Sequence, residues 1–239
     1  MRTQILALTL ASMLSLGGCV SVLPTPIIPS ALISLPADRA VAPADALQAD
    51  VAVYFPEASR AFSGADIAVR DNQELIYLSD VRWADTGPAL LQGAVVNSLT
   101  KAGGPGRAAP GQLGAQTDYD LRWRIIDMSV SKANAPVRIE VQASILDSGT
   151  RRMIAQQSFS TEGAPSDGSA RARAAALAVA AQKTADEVAA FVAKTVTAKP
   201  KPGSPTSARS SSVRARRSAG VSPRMRSPKP MFSAALRWG

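Results

Sequence analysis

Asp118 and Asp120 are the two side chains of this sequence best spaced for acid–base or cation chemistry. Two residues apart on an extended segment, they share one strand face. That is the arrangement needed by two carboxylates dividing the roles of proton donor and acceptor. Arg122 and Arg124 continue the same alternation, so these four residues also read as the solvated face of a strand, and that reading is the one adopted. The rest of the catalytic repertoire is thin. The sequence has no histidine, which removes the usual neutral-pH base and the commonest metal ligand. Gly103-Gly104-Pro105-Gly106 is not followed by the Lys-Ser/Thr of a phosphate-binding loop. The expectation is a non-enzymatic protein with no catalytic residues, no metal site and no cofactor.

Cys19, the single cysteine, has a different chemistry written around it. A short start carrying Arg2 leads into the apolar run Ile5–Leu16, and Gly17 and Gly18 precede the thiol. The apolar run is too short to span a bilayer as a helix and matches the hydrophobic region of a signal peptide. Leu16-Gly17-Gly18-Cys19 looks like a bacterial lipobox. That likeness implies cleavage before Cys19 and acylation of its sulfur and its new amine, so the only thiol is a lipidation site and not a nucleophile. Stable anchoring requires more than one acyl chain, and a triacylated cysteine supplies it. Val20 follows Cys19 where an aspartate would mean inner-membrane retention. The expected location is therefore the outer membrane, facing the periplasm. With one cysteine there is no intramolecular disulfide, so an exported fold must rest on its core.

The net charge of +9 is unevenly placed. Ala198 to Gly239 holds ten Lys and Arg residues and no acid, whereas Val20 to Thr197 holds 16 Lys and Arg against 18 Asp and Glu. The region that can fold is thus near neutral. A nucleic-acid-binding domain would carry its basic residues on a folded face, so no nucleic-acid partner is expected.

The chain divides into four parts. Residues 1–18 read as the signal peptide. Residues 19–31, with Pro24, Pro26 and Pro29, read as a lipid-anchored tether of polyproline character. Residues 32–197 form one domain. Residues 198–239, rich in Ser, Pro, Arg and Ala, form a disordered basic tail. Three readings of that tail stay open: plain disorder, charge attraction to anionic headgroups, and an extension without function.

Within the domain, Leu32–Leu35 and Asp50–Phe55 read as strands. Ile67–Arg70 and Leu75–Leu78 flank the polar Asp71–Glu74, a hairpin signature. Asp85-Thr86-Gly87-Pro88 starts a helix whose apolar face carries Leu91, Val95, Leu99 and Ala102, with Ser98 beside them. Five glycines and two prolines in the 14 residues Gly103–Gln116 predict an exposed, mobile loop. Period-two patterning over Tyr119–Ile125, Val137–Leu146 and Arg151–Phe159 predicts an antiparallel meander with one wet face. Tyr119, Leu121 and Trp123 are assigned to the core, with an apolar groove as the alternative for Trp123. A last helix runs from Ser169 to about Val196, with Leu177, Thr184, Val188, Phe191 and Thr195 near one stripe. The fold class is α+β: a two-layer domain, mainly antiparallel sheet, packed by two helices.

Ile67-x-x-Arg70, Glu74-Leu75-x-Tyr77 and Arg82-Trp83-Ala84 leading into a helix resemble the ABC-type transport auxiliary lipoproteins, and the likeness continues to the alanine-rich terminal helix. Asp85 stands where that family often has proline. The resemblance implies an outer-membrane lipoprotein that acts as an auxiliary or docking component of an MCE-type ABC transport system. Such systems move phospholipid or other hydrophobic molecules between membranes. The implied partners are an MCE-domain protein, its inner-membrane ABC transporter, membrane lipids through the anchor, and further copies of the chain. Arg70, Glu74, Tyr77, Arg82 and Trp83 are the candidate partner contacts. The same five also read as an ion pair and an aromatic plug fixing the hairpin against the first helix. An assembly lipoprotein of a secretion or pilus complex is the alternative function. A hydrolase using Asp118 or Asp120 is a third.

Overall fold

The computed structural model describes residues 29–132 and 135–199. Cys19, the tether up to residue 28 and the tail from residue 200 lie outside the described residues. The elements in chain order are β1 (Ala31–Ile33), β2 (Val51–Val53), β3 (Glu57–Ala58), β4 (Asp66–Asp71), β5 (Glu74–Trp83), helix α1 (Gly87–Lys101), β6 (Ala108–Pro110), β7 (Tyr119–Ser131), β8 (Val137–Asp147), β9 (Met153–Gly163) and helix α2 (Ala170–Thr195). This is an α+β fold of two helices and one mixed sheet. No helix among the described residues is long and apolar enough to cross a membrane.

β7 organises the sheet. Along one edge it pairs antiparallel with β8 from Tyr119 to Ser129, and β8 pairs antiparallel with β9. Its other edge takes three short parallel partners in succession: β2 at Tyr119–Leu121, β3 at Arg124–Ile125 and β4 at Ser129–Ser131. β4 continues antiparallel into β5, β5 carries β1 in parallel, and β2 carries β6 in parallel. The meander is as the alternation predicts. The parallel pairs are an addition to it, because short apolar segments carry no signal of strand direction.

A register shift between Ile125 and Asp127 is what lets so long a strand keep one face inward. Tyr119, Leu121, Trp123 and Ile125 are buried on odd positions, and Met128 and Val130 are buried on even ones. One extra residue at a β-bulge makes that change of phase and leaves Ile126 exposed. On β8, Val137, Ile139, Val141, Ala143 and Ile145 are all fully buried. Trp123 is core rather than groove lining: it is 5 % exposed and its Nε1 donates to the Tyr54 carbonyl at 2.7 Å.

The two helices close the core. Thr86 caps α1, its hydroxyl accepting from the Ala89 amide, and Pro88 lies in the first turn. Ser169 caps α2 by accepting from the Ala172 amide. The buried face of α2 is largely alanine, with Leu177, Thr184, Val188 and Val192 between; Phe191 meets Phe159 edge to face at 5.7 Å. Thr184 donates to Thr161 of β9 at 2.9 Å, which satisfies two buried hydroxyls at once.

Between the helices, Asp186 gathers three donors. Its Oδ1 accepts from Ser98 Oγ at 2.5 Å and from Gln182 Nε2 at 3.0 Å, and its Oδ2 accepts from the Val41 amide at 3.1 Å. Lys101 Nζ adds bonds to the carbonyls of Ala37 and Ala40. The segment between β1 and β2 is thereby strapped across both helices.

The Gly103–Gln116 stretch is not the mobile loop that its composition predicts. It contains β6 and a 3-10 turn, Gly111–Leu113. The glycines allow close approach. A Cβ at Gly106 would lie 2.3 Å from the Ala49 carbonyl oxygen, and Gly104, at φ 98°, would place one 2.5 Å from that of Leu47.

At the Tyr119 end of β7, the chain after α2 is pinned. Tyr119 Oη is within 3.2 Å of the Thr197 carbonyl, which accepts from it. Lys199 Nζ donates to the Asp118 carbonyl at 2.8 Å and to Asp147, and it lies 4.3 Å from the centre of the Tyr119 ring. The Lys199 ammonium, with the Thr150 amide, lowers the Asp147 carboxyl to about 2.

Two outcomes follow from this packing. Asp186→Ala leaves Ser98 Oγ and the Val41 amide without their acceptor, so stability should fall by about 1–3 kcal/mol. Chemical denaturation measures the loss, and hydrogen exchange at Val41 should accelerate first. Asp147 is ionised more readily folded than unfolded. Its contribution is therefore present above its ordinary value of 3.8 and is lost as pH falls through about 2. In Lys199→Ala, an NMR titration of Asp147 should show the midpoint rising toward the ordinary value.

Candidate functional site

The β4–β5 hairpin carries the five residues singled out for partner contact. Its turn places Asp71 opposite Glu74, and Asn72 takes φ 55°, a left-handed conformation that asparagine tolerates. From this ribbon the five side chains go to different places.

Arg70 reaches from β4 to β7, where its Nη2 lies 2.9 Å from Asp127 Oδ2. Asp127 is 8 % exposed and sits just after the bulge. Its other oxygen accepts from Ser129 Oγ at 2.7 Å, so both oxygens of the carboxylate are engaged. Arg82 pairs with Asp66 at 2.9 Å, directly across the β4–β5 ladder. Trp83 is 3 % exposed, and its amide donates to the Ala65 carbonyl. Glu74 and Tyr77 face solvent, Tyr77 at 48 % exposure. The two arginines therefore fix the hairpin to β7 and to itself. The predicted ion pair against the first helix is not formed, and the five do not make one continuous lip. Both arginines are partly exposed, so each pair contributes little to stability beyond orientation.

The acidic pair is taken up by structure as well. Asp118 Oδ2 accepts from the Asp50 amide at 3.0 Å. Asp120 is 3 % exposed, contrary to the solvated face predicted for it. The turn after β8 folds back over it: Ser148 Oγ donates to Oδ1 at 2.7 Å, and Arg151 Nη1 lies 3.0 Å from Oδ2. A buried carboxylate with both oxygens bonded is a structural ion. Arg122 and Arg124 are exposed, as expected of a wet face, and Arg122 also stacks on Tyr54 at 3.3 Å from the ring centre. No group of three or more metal-ligating side chains occurs among the described residues.

The described surface has one large open groove, about 820 Å³, lined by Leu32, Ile33 and Pro36 on one side and by Gly163, Ala172 and Val179 on the other. Its lining is mostly apolar and small, with Asp38 and Arg39 at the margin. Two features important to the surface escape the sequence reading: Asp186 as a hub, and this groove. Ser98 on the apolar face of its helix is the one local sign of the former.

Comparison with known proteins agrees with the fold and supplies a family. The family model described as the ABC-type transport auxiliary lipoprotein component matches residues 32–189. A search of curated proteins finds no significant match. Among solved structures, the chain is similar to protein XCC0632 from Xanthomonas campestris, at 22 % identity and a TM-score of 0.58. That alignment covers 69 % of this chain and 94 % of the other. A second crystal structure, of an uncharacterized protein, aligns at 12 % identity and a TM-score of 0.54, covering 69 % of this chain and 99 % of the other. At these identities the likeness is one of fold. The match across residues 32–189 spans β1 to most of α2, and on it the chain belongs to the ABC-type transport auxiliary lipoprotein family.

Proposed function

We propose that this protein is a non-enzymatic docking component of an MCE-type ABC transport system, held by acyl chains on Cys19 at the periplasmic face of the outer membrane. The family match over the folded core carries the reading. Three features support it. The lipobox-like Leu16-Gly17-Gly18-Cys19 provides the anchor. The groups best suited to acid–base work, Asp118 and Asp120, are spent on the Asp50 amide, Ser148 and Arg151. The folded part is near neutral, as suits a domain that meets protein and lipid rather than a polyanion.

In this role the domain does no chemistry on the cargo. The inner-membrane transporter supplies energy, an MCE-domain protein supplies the conduit, and this chain fixes the outer-membrane end, singly or as a ring of copies. The cargo class is phospholipid or another hydrophobic molecule. Rigidity is what such a component contributes, because a docking surface loses affinity for each side chain that must be ordered on binding.

Co-purification from a detergent-solubilised envelope, followed by mass spectrometry, should recover an MCE-domain protein and its ABC transporter. Deletion of the gene should raise outer-membrane permeability. The Cys19→Ala chain should fold, fail to reach the membrane fraction and fail to complement. Recovery of secretion or pilus subunits in place of the MCE protein would overturn the reading.

A further inference from the structure

The described chain begins and stops toward different ends of β7. Lys199 is pinned beside Tyr119 at the start of β7. The beginning is at β1. Ser30 lies opposite Asp80, its amide and its hydroxyl both donating to the Asp80 carbonyl at 2.8 and 2.9 Å. β1 runs parallel to β5, and β5 runs away from the Asp71–Glu74 turn. Traced backward from Ser30, the chain therefore heads toward the hairpin tip. That tip lies at the Ser131 end of β7, since Arg70 is in register with both Leu75 and Ser131. Ser30 is level with about Met128 of β7, because Asp80 lies between Tyr77 and Arg82, which face Ala68 and Asp66, so the two positions are about nine residues, or about 30 Å, apart along β7.

The tip has an unusual surface. Glu74, Leu75, Ile76 and Tyr77 are four consecutive exposed residues. A strand against a core would hide every second one, so here both faces of β5 are open. Three of the four are large and apolar: Leu75 is 37 %, Ile76 45 % and Tyr77 48 % exposed. Among the described residues, β1 pairs with β5 at Val81–Trp83. Pro24, Pro26 and Pro29 lack the N–H that a regular continuation of β1 along this edge would need.

We infer that Leu75, Ile76 and Tyr77 seat in the interface of the bilayer that holds the acyl chains of Cys19, giving the protein a second point of membrane contact. The inference rests on the reading of Cys19 as the anchor. The lengths agree with it. Nine residues, 20–28, separate Cys19 from the described chain, an extended reach of about 30 Å. Measured along β4, which lacks the extra residues that the register shift puts into β5, the hairpin tip projects beyond Ser30 by about four or five residues of strand, or about 15 Å. A tether pulled fully out leaves the tip within about 15 Å of the membrane, and a tether spanning about 15 Å or less brings it to contact. Tyr77 has the apolar body and polar end favoured at the headgroup level, and its contact would orient a domain that the acyl chains already hold.

The test uses the full lipidated chain in vesicles of phosphatidylethanolamine with a minor fraction of phosphatidylglycerol. Ile76→Cys carries an environment-sensitive fluorophore; Gly149→Cys, in the turn at the opposite end where a Cβ meets only ordinary contact, carries the same label. The Ile76 label should shift to the blue and be quenched several-fold more by lipids brominated on the acyl chain. Vesicle-bound protein whose two labels are quenched alike would overturn the inference while leaving the anchor in place. A label at Ile76 that becomes buried only when a protein partner is added would also overturn it and assign the tip to that partner. If mass spectrometry of the chain purified from the envelope finds Cys19 without acyl groups, the anchor reading and this inference fall together. Leu75→Ser/Tyr77→Ser, which changes exposed residues only, should float but lose the shift of the Ile76 label.

Discussion

One strand has to satisfy four others, and the rest of the domain is arranged around that requirement. β7 pairs along one edge with β8 and along the other with β2, β3 and β4 in turn. Its backbone groups cannot bond in register over that length and keep one face buried unless the strand changes phase, and the bulge near Ile126 does this. The bulge has a second effect. It sets Asp127 where it accepts from both Arg70 and Ser129, and so determines where the β4–β5 hairpin attaches. A local irregularity in the core strand thus positions the β4–β5 hairpin.

The helical layer works by close approach rather than by bulk. An alanine-rich face lets α2 lie near β8, β9 and α1, and the few polar groups on it are spent on cross-links: Thr184 to Thr161, and Asp186 to Ser98 and Val41. Gly104 and Gly106 act in the same way beside Leu47 and Ala49. Directional bonds between small residues make a core whose geometry is specific, since each buried donor or acceptor penalises alternatives that leave it unpaired. Such a domain is suited to holding a surface in place.

Much of this could be read from the sequence. Alternation revealed β7, β8 and β9, turn chemistry revealed the Asp71–Glu74 hairpin, and Thr86 and Ser169 marked both helix starts, because each of these signals is local. What escaped was non-local. Glycine in the 103–116 stretch signals either freedom or close approach, and only the position of Ala49 decides which. Asp120 has the alternation of a wet face, yet Ser148 and Arg151 return from a turn nearly 30 residues on to cover it. The hairpin ribbon runs beyond the predicted Leu78 to Trp83 and so carries all five residues. Their division into buried Trp83, paired Arg70 and Arg82, and exposed Glu74 and Tyr77 depends on β7, which lies about 50 residues further along.

The central claim is that this fold is a rigid, lipid-anchored docking element with no catalytic centre of its own. In-cell photo-crosslinking from exposed positions tests it most directly, with photoreactive side chains placed at Val41, Leu113 and Ile76 in the full chain. The account predicts an adduct with an MCE-domain protein from Val41 or Leu113, and lipid adducts without protein from Ile76. Adducts confined to proteins of another envelope machine, or a protein adduct from Ile76 alone, would contradict it.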